Sequence, residues 1–192
     1  TSHQLKKAAK GKKIILYAPT HRQEGEIVFP LKEQFDFEKL NQWCVEHNMV
    51  FVIRRHFYHK NEEVDFSMYS NITDITKKSM DIQEILMDTD ILISDYSSTY
   101  IDYLLLDRPL IFYNFDYEDY LQNDREMYYD YDEVTPGYKA ATFDELMTEL
   151  DSIAKDEDHF VEDRQRVRDL FYCKEGQQMV GEKLLEFLKN LK

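Results

Sequence analysis

The segment Ser94-Asp95-Tyr96-Ser97-Ser98-Thr99-Tyr100-Ile101-Asp102 holds the densest set of groups able to do chemistry. Two adjacent hydroxyls follow one apolar run and open a second, and a carboxylate stands four residues after Ser98. With the first run a strand and the second a helix, Ser97 and Ser98 fall in the first helical turn. Unpaired backbone N–H groups and partial positive charge gather there and favour an anion. A phosphate or diphosphate can be held in that way without a glycine-rich loop. Asp102, one turn further on, is placed to accept hydrogen bonds from ligand hydroxyls. The plainer roles are N-capping for the serines and a solvated helix face for Asp102.

Three further segments lie just after apolar runs or turns. Arg54-Arg55-His56 ends the run VFVIR. An arginine at a strand end suits forked contact with phosphate, and His56 just beyond it suits proton transfer near neutral pH. A lone histidine is more often structural. Pro19-Thr20-His21-Arg22 puts a hydroxyl and a cation at another strand end. Pro136-Gly137 allows a close backbone approach to a ligand, or marks a simple turn. Residues 128–132, three of them tyrosines, read as cover for a sheet edge rather than as a ring-binding site. His56 and His59 have no third ligand at defensible spacing, so no metal and no resident cofactor are expected. A divalent cation accompanying a diphosphate stays open. No G-x-S-x-G, G-K-S/T or G-x-G-x-x-G occurs, which removes the α/β-hydrolase, P-loop and dinucleotide fingerprints.

The elements that must position these residues are legible as unbroken apolar runs. Residues 14–18 (IILYA), 50–54 (VFVIR), 90–94 (DILIS) and 110–113 (LIFY) lack alternation and read as strands buried on both faces, with a shorter strand at 71–75. Asp36 caps a helix running to about His47, and residues 81–87 and 97–106 form two more. Thr142 and Glu145 have capping-box spacing and open a helix to about Ala154. Helices over 159–171 and 177–189 close the chain. Residues 20–34 and 61–70 read as loops. Residues 114–133, with eight acids, five tyrosines and one arginine, read as an extended or partly helical excursion. Strands alternating with helices of this length predict an α/β fold, a Rossmann-like parallel sheet flanked by helices. Residues 14–192 are expected to form one domain, and residues 1–13 a linker or an expression-derived start.

The chain has 192 residues, of which 43% are hydrophobic, with 14 Tyr and 12 Phe, enough to build one sizeable core. Its formal net charge of −14 disfavours a general nucleic-acid surface. Cys44 and Cys173 form neither a CxxC pair nor a zinc spacing, and a reducing, cytoplasmic setting fits them best. No apolar run reaches membrane-spanning length, and residues 1–13 lack the apolar core of a leader peptide. The absent initiator methionine suggests a fragment of a longer protein.

The motifs taken in order resemble the CDP-glycerol glycerophosphotransferases, the teichoic acid primases and polymerases. The order is Tyr17-Ala-Pro-Thr-His-Arg22, Arg54-Arg-His56, Asp65-Phe-Ser-Met-Tyr69, Asp81-Ile-Gln-Glu-Ile-Leu86, Ser94-Asp-Tyr-Ser-Ser98 with Asp102, Arg108-Pro109 and Pro136-Gly137. The similarity runs from about Lys13 to Gly181. It implies the C-terminal, nucleotide-binding half of a GT-B architecture. The family's His-Gly motif, which belongs to the first domain, is absent here. On that resemblance Arg54 and His56 match an R-x-H motif whose histidine is required. Ser97, Ser98 and Asp102 match the donor-phosphate motif, and Thr20 and Arg22 match P-T-x-R. His21 departs from the usual aromatic, and Tyr138 from a common second proline.

The implied activity is transfer of glycerol phosphate from CDP-glycerol, or a related CDP-alditol, to a lipid-linked teichoic acid acceptor, with release of CMP. The implied partners are that acceptor and an N-terminal acceptor domain of the same polypeptide, with no nucleic acid. The implied place is the cytoplasmic face of the plasma membrane, reached through parts outside this chain, and the chain alone is expected to be inactive. A GT-B glycosyltransferase domain using another nucleotide sugar and a non-catalytic nucleotide-binding module are the alternatives.

Overall fold

Four of the apolar runs form the centre of a six-stranded, all-parallel sheet. The computed structural model describes residues 3–20, 31–55, 64–123, 128–172 and 186–189. In chain order the elements are α1 (Gln4–Ala9), β1 (Lys13–Tyr17), α2 (Leu31–Gln34), α3 (Phe37–Glu46), β2 (Met49–Ile53), β3 (Ile72–Asp74), α4 (Ile82–Asp88) and β4 (Ile91–Ser94). Next come α5 (Thr99–Tyr103) with a 3-10 turn (Leu104–Leu106), β5 (Leu110–Tyr113), α6 (Tyr117–Asn123), α7 (Tyr131–Val134), β6 (Tyr138–Ala140), α8 (Phe143–Ala154) and α9 (Val161–Phe171). The strand order is β3-β2-β1-β4-β5-β6. Successive strands step outward in one direction from β1 and then in the other from β4. The order therefore reverses between β1 and β4, and the crevice of such a sheet opens at that point, beyond the carboxyl ends of the strands.

Successive side chains on a strand point to opposite faces, and both faces are covered here. Ile15, Tyr17, Phe51, Ile53, Ile91 and Ile93 pack with Leu40 and Trp43 of α3 and Leu146 and Leu150 of α8. Ile14, Leu16, Val52, Leu92 and Phe112 pack on the other side with Leu5, Ile85, Tyr103 and Val167. This is why the runs show no alternation. Cys44 is buried and free, and burial pushes its thiol up to about 12, so it stays protonated and inert at neutral pH.

The helix starts follow local chemistry. The Asp36 side chain accepts from the Lys39 N–H, and Asp81 accepts from the Gln83 N–H. Thr142 and Glu145 form the reciprocal capping box at α8. The start of α1 has no local side-chain cap and is held by a distant carboxylate. The backbone N–H groups of Leu5 and Lys6 in α1 donate to Oδ2 of Asp88, a buried residue at the end of α4. His3 Nδ1 lies 2.5 Å from Asp88 Oδ1. Residues 4–9 are therefore a docked helix with Leu5 and Ala9 buried, within the stretch expected to be a linker or an expression-derived start. Two expectations change. Residues 31–34 are helical within the segment read as a loop, and β6 was not anticipated. The helix expected over 177–189 lies almost wholly outside the described residues.

Gly137 has a packing reason. A Cβ built on it would lie 2.6 Å from the Leu110 carbonyl oxygen and 2.9 Å from Leu110 Cβ. Only glycine lets the start of β6 sit against β5 there. Gly137→Ala is expected to cost about 1–3 kcal/mol through overpacking. A thermal melt within a degree of the parent would contradict that.

Candidate functional site

Thr20 and the two serines converge. Thr20 follows β1, and residues 95–98 follow β4, so both stand at the carboxyl edge where the strand order reverses. They line one cleft of about 730 Å³, whose further walls are Tyr96, Tyr100, Tyr120, Tyr131 and Phe171, with Tyr128 and Tyr129 at its outer part. Among the described residues the lining carries no charged side chain. The cleft thus has a hydroxyl-bearing end at the switch point and an aromatic end under α6 and α7.

The hydroxyls differ in how they are committed. Ser97 Oγ accepts from the Thr99 N–H at 3.2 Å and bonds the Thr99 hydroxyl at 2.8 Å. Two hydroxyls can exchange donor and acceptor roles by rotating, so Ser97 can turn its proton to a ligand. Ser98 is exposed and makes no side-chain cap bond to α5. The plainer role of a capping serine fits Ser97, which accepts a backbone N–H, and not Ser98. Thr20 donates both its N–H and its hydroxyl to Asp95 Oδ1, at 2.8 and 2.5 Å. Asp95 is a functional candidate that the motif contains without an evident role. Its position directly after a buried strand was the available signal.

The aromatic end is tightly built. The Tyr96 ring stacks on Tyr120 with centroids 3.9 Å apart, and Tyr131 lies 5.7 Å from Tyr96. Tyr96 Oη donates to Asp116 Oδ1, and Tyr131 Oη donates to the Asp95 carbonyl. Burial, with the Asp116 charge beside it, raises the Tyr96 phenol well above its ordinary range, so it serves as a neutral donor. The tyrosines expected as edge cover divide: Tyr131 is buried in the wall, and Tyr128 is fully exposed.

Arg54, Asp102, Pro136 and Gly137 are not among the residues that line this cleft. Arg54 Nη2 donates to the Met80 carbonyl at 2.8 Å, toward the β3–α4 connection, and its buried Nε has no hydrogen-bond partner among the described residues. Its neighbour Arg55 is buried and pairs with Asp74 at 2.6 Å. Asp102 is exposed, and its Oδ1 accepts from Tyr172 Oη at 3.0 Å. Burial and this carboxylate push the Tyr172 phenol up to about 12. Pro136 and Gly137 are buried beside β5, while their neighbours Val134 and Thr135 line the cleft. Arg22, His56 and His59 lie outside the described residues. Among the described residues no group of three or more His, Cys, Asp or Glu is arranged to hold a metal ion, and no helix is long and apolar enough to cross a membrane.

Comparison with known proteins bears on this geometry. The family model described as CDP-glycerol:poly(glycerophosphate) glycerophosphotransferase matches residues 4–188. The teichoic acid ribitol-phosphate polymerase TarK of Staphylococcus aureus (strain NCTC 8325 / PS 47) is 38% identical over 156 residues, covering 80% of this chain and 29% of TarK. A teichoic acid poly(glycerol phosphate) polymerase of Bacillus spizizenii is 39% identical over 134 residues, covering 67% of this chain and 33% of that protein. The solved structure of the wall teichoic acid polymerase TagF superposes with a TM-score of 0.68 at 29% identity, over 82% of this chain and 39% of that one. The kitacinnamycin glycotransferase, 12% identical with a TM-score of 0.51, shares the fold. The chain thus spans about a third of the length of the relatives it matches.

Proposed function

The chain belongs to the CDP-glycerol:poly(glycerophosphate) glycerophosphotransferase family, and on that premise we propose that it holds the CDP-alditol donor, CDP-glycerol foremost, of a teichoic acid transferase. The observation that carries this reading is the meeting of Thr20, Ser97 and Ser98 in one cleft where the strand order reverses. The serine end takes the diphosphate, through hydroxyl and backbone N–H donors.

In the proposed reaction an acceptor hydroxyl attacks the β-phosphorus. The bond from that phosphorus to the bridging oxygen breaks, CMP leaves, and one glycerol phosphate is added. This chain's part is to fix the donor and to offset phosphate charge. Arg22 and His56 are assigned the cationic side of that task by the family's motifs, with His56 donating a proton to the leaving phosphate; the same motifs assign Arg54 to it, from beyond the cleft lining and with its Nη2 on the Met80 carbonyl. Asp102 and Pro136-Gly137 take outer roles in donor binding: the Asp102 carboxylate accepts from Tyr172 Oη, and Gly137 leaves no room for a side chain against Leu110.

The acceptor side is assigned to an N-terminal domain of the same polypeptide, and the acceptor to a lipid-linked teichoic acid. The reaction is placed in the cytoplasm at the inner face of the membrane. The free, buried Cys44 supports a reducing compartment. A net charge of −14 argues that contact with an anionic leaflet is made by other parts of the protein.

Calorimetry with the 192-residue chain tests the donor reading. CDP is expected to bind about tenfold or more tighter than CMP, because the second phosphate adds at least one charge-assisted hydrogen bond, and UDP is expected to bind more weakly. CDP-glycerol and CDP-ribitol belong in the same panel, because relatives of both kinds are equally similar. Equal affinity for UDP would favour a nucleotide-sugar transferase. Absence of CDP binding by a folded sample would remove the reading.

A further inference from the structure

The end of α9 meets several parts of the cleft wall at once. Val167 is buried in the core cluster that also holds Tyr100, Tyr131 and Val134 of the lining. Arg166 Nη2 donates to the Glu133 carbonyl in α7 at 3.0 Å, next to Val134 and Thr135. The Phe171 ring lines the cleft and meets the Tyr129 ring edge to face, with centroids 5.6 Å apart. Tyr172 follows as the last residue of the turn. Its N–H donates to the Arg168 carbonyl at 2.8 Å, and its Oη donates to Asp102 Oδ1 at 3.0 Å. Asp102 lies on α5, the helix that Ser97 and Ser98 precede.

The two ends of α9 are held differently. Arg164, near the start, is buried and forks onto both oxygens of Asp158. Toward the other end the helix leaves the core: Leu170 is exposed, and Phe171 and Tyr172 are half-buried. A helix end with few buried contacts opens most readily, so a tether at that point decides where the Phe171 ring stands. A phenol donating to a carboxylate is a charge-assisted bond, stronger than a neutral one.

We propose that Tyr172 is a positioning residue of the donor cleft: by holding Asp102 it fixes the end of α9 against α5 and keeps the Phe171 ring in place as a wall of the aromatic end. Neither Tyr172 nor Asp102 lines the cleft, so Tyr172 acts on a ligand through Phe171. A wall already in place spares the ligand the cost of ordering it. This rests on the donor reading above and deepens it, by naming what encloses the end of the cleft away from the serines.

The test is a double-mutant cycle read by calorimetry with CDP on the 192-residue chain. Tyr172→Phe keeps the ring and removes only the hydroxyl. It is expected to lose about fivefold in CDP affinity while its melting temperature stays within about 3 °C of the parent. Phe171→Ala is expected to lose about tenfold or more. In the Phe171→Ala background, Tyr172→Phe is expected to cost less than about twofold, because the wall it holds is gone. In the ligand-free chain, the NMR cross-relaxation contact between the Phe171 and Tyr129 rings is expected in the parent and weakened in Tyr172→Phe.

Unchanged CDP affinity in Tyr172→Phe would overturn the proposal. So would full additivity of the two changes, the result for a hydroxyl that only supports the fold. Tighter binding would overturn it as well, since Tyr172 would then compete with the ligand for Asp102. A ring contact of equal strength in parent and Tyr172→Phe would refute the tether itself. Failure of the folded parent to bind CDP would sink the donor reading, whereas the tether is decided separately by the ring contact, which is measured without ligand.

Discussion

Replacing Ser97 and Ser98 together with alanine is expected to weaken CDP binding by about a hundredfold or more while leaving the domain folded. Each serine is assigned one hydrogen bond to a charged phosphate, worth about 1.5–3 kcal/mol, and about 1.4 kcal/mol is tenfold in affinity. The cost to folding is small by comparison. Ser98 makes no cap bond, so its loss removes nothing from α5. Ser97 accepts one N–H, from Thr99, and losing such a contact costs about 1 kcal/mol. Calorimetry paired with a thermal melt separates the two effects. A variant that melts early but binds CDP like the parent would make the serines local supports and move the phosphate site elsewhere.

Arg164→Ala is expected to do the reverse, destabilising the fold severely with no direct effect on the cleft. Arg164 is 2% exposed, and its Nη1 and Nη2 bond both oxygens of Asp158 at 2.8 and 2.7 Å. Its Nε donates to Asp107 Oδ1 at 3.0 Å. One guanidinium thus ties α9 to the turn after α5 and to the α8–α9 connection. Removing it leaves two partly buried carboxylates uncompensated, at a cost of about 3 kcal/mol or more, or roughly 6–12 °C in the melt of a domain this size.

The same contact sets a pH dependence. The Arg164 hydrogen bonds hold the Asp158 carboxyl below the usual carboxylate range. A group whose folded value is depressed contributes stability above its unfolded value, near pH 4. That contribution is lost as pH falls through the folded value. Asp158→Asn should therefore melt lower at pH 7 and approach the parent as pH falls below the ordinary carboxylate range. Parallel melting curves across that interval would contradict the assignment.

The parts of this molecule that could be read from sequence are those whose causes are local or uniform. A strand covered on both faces needs apolar residues at every position, and the four central strands are written that way. Asp36, Asp81 and the Thr142–Glu145 pair announce their helices because the capping group lies within three residues of what it caps. The start of α1 could not be read because its cap, Asp88, is more than 80 residues away in the chain. β6 was missed because three residues following a proline and a glycine carry too little pattern, and the glycine's reason is the backbone of Leu110.

The candidate site divides in the same way. Ser97, Ser98 and Thr20 were found because each follows a legible strand, and the parallel sheet brings those strand ends together. The Thr20–Asp95 bond was not, since it depends on β1 and β4 being neighbours at the reversal of order. Asp102 was placed near the ligand by helical spacing alone, and the docking of Tyr172 on it came from a contact 70 residues away.

The central claim is that the nucleotide donor binds where β1 and β4 meet. Backbone amide NMR of the 192-residue chain titrated with CDP tests this most directly. The account predicts that the largest saturable shifts fall on Thr20, Asp95, Tyr96, Ser97 and Ser98, at both strand ends together. Shifts centred instead on the separate groove between α3 and α8, around Lys39, Trp43 and Asp151, with the amides of the two strand ends unmoved, would contradict it.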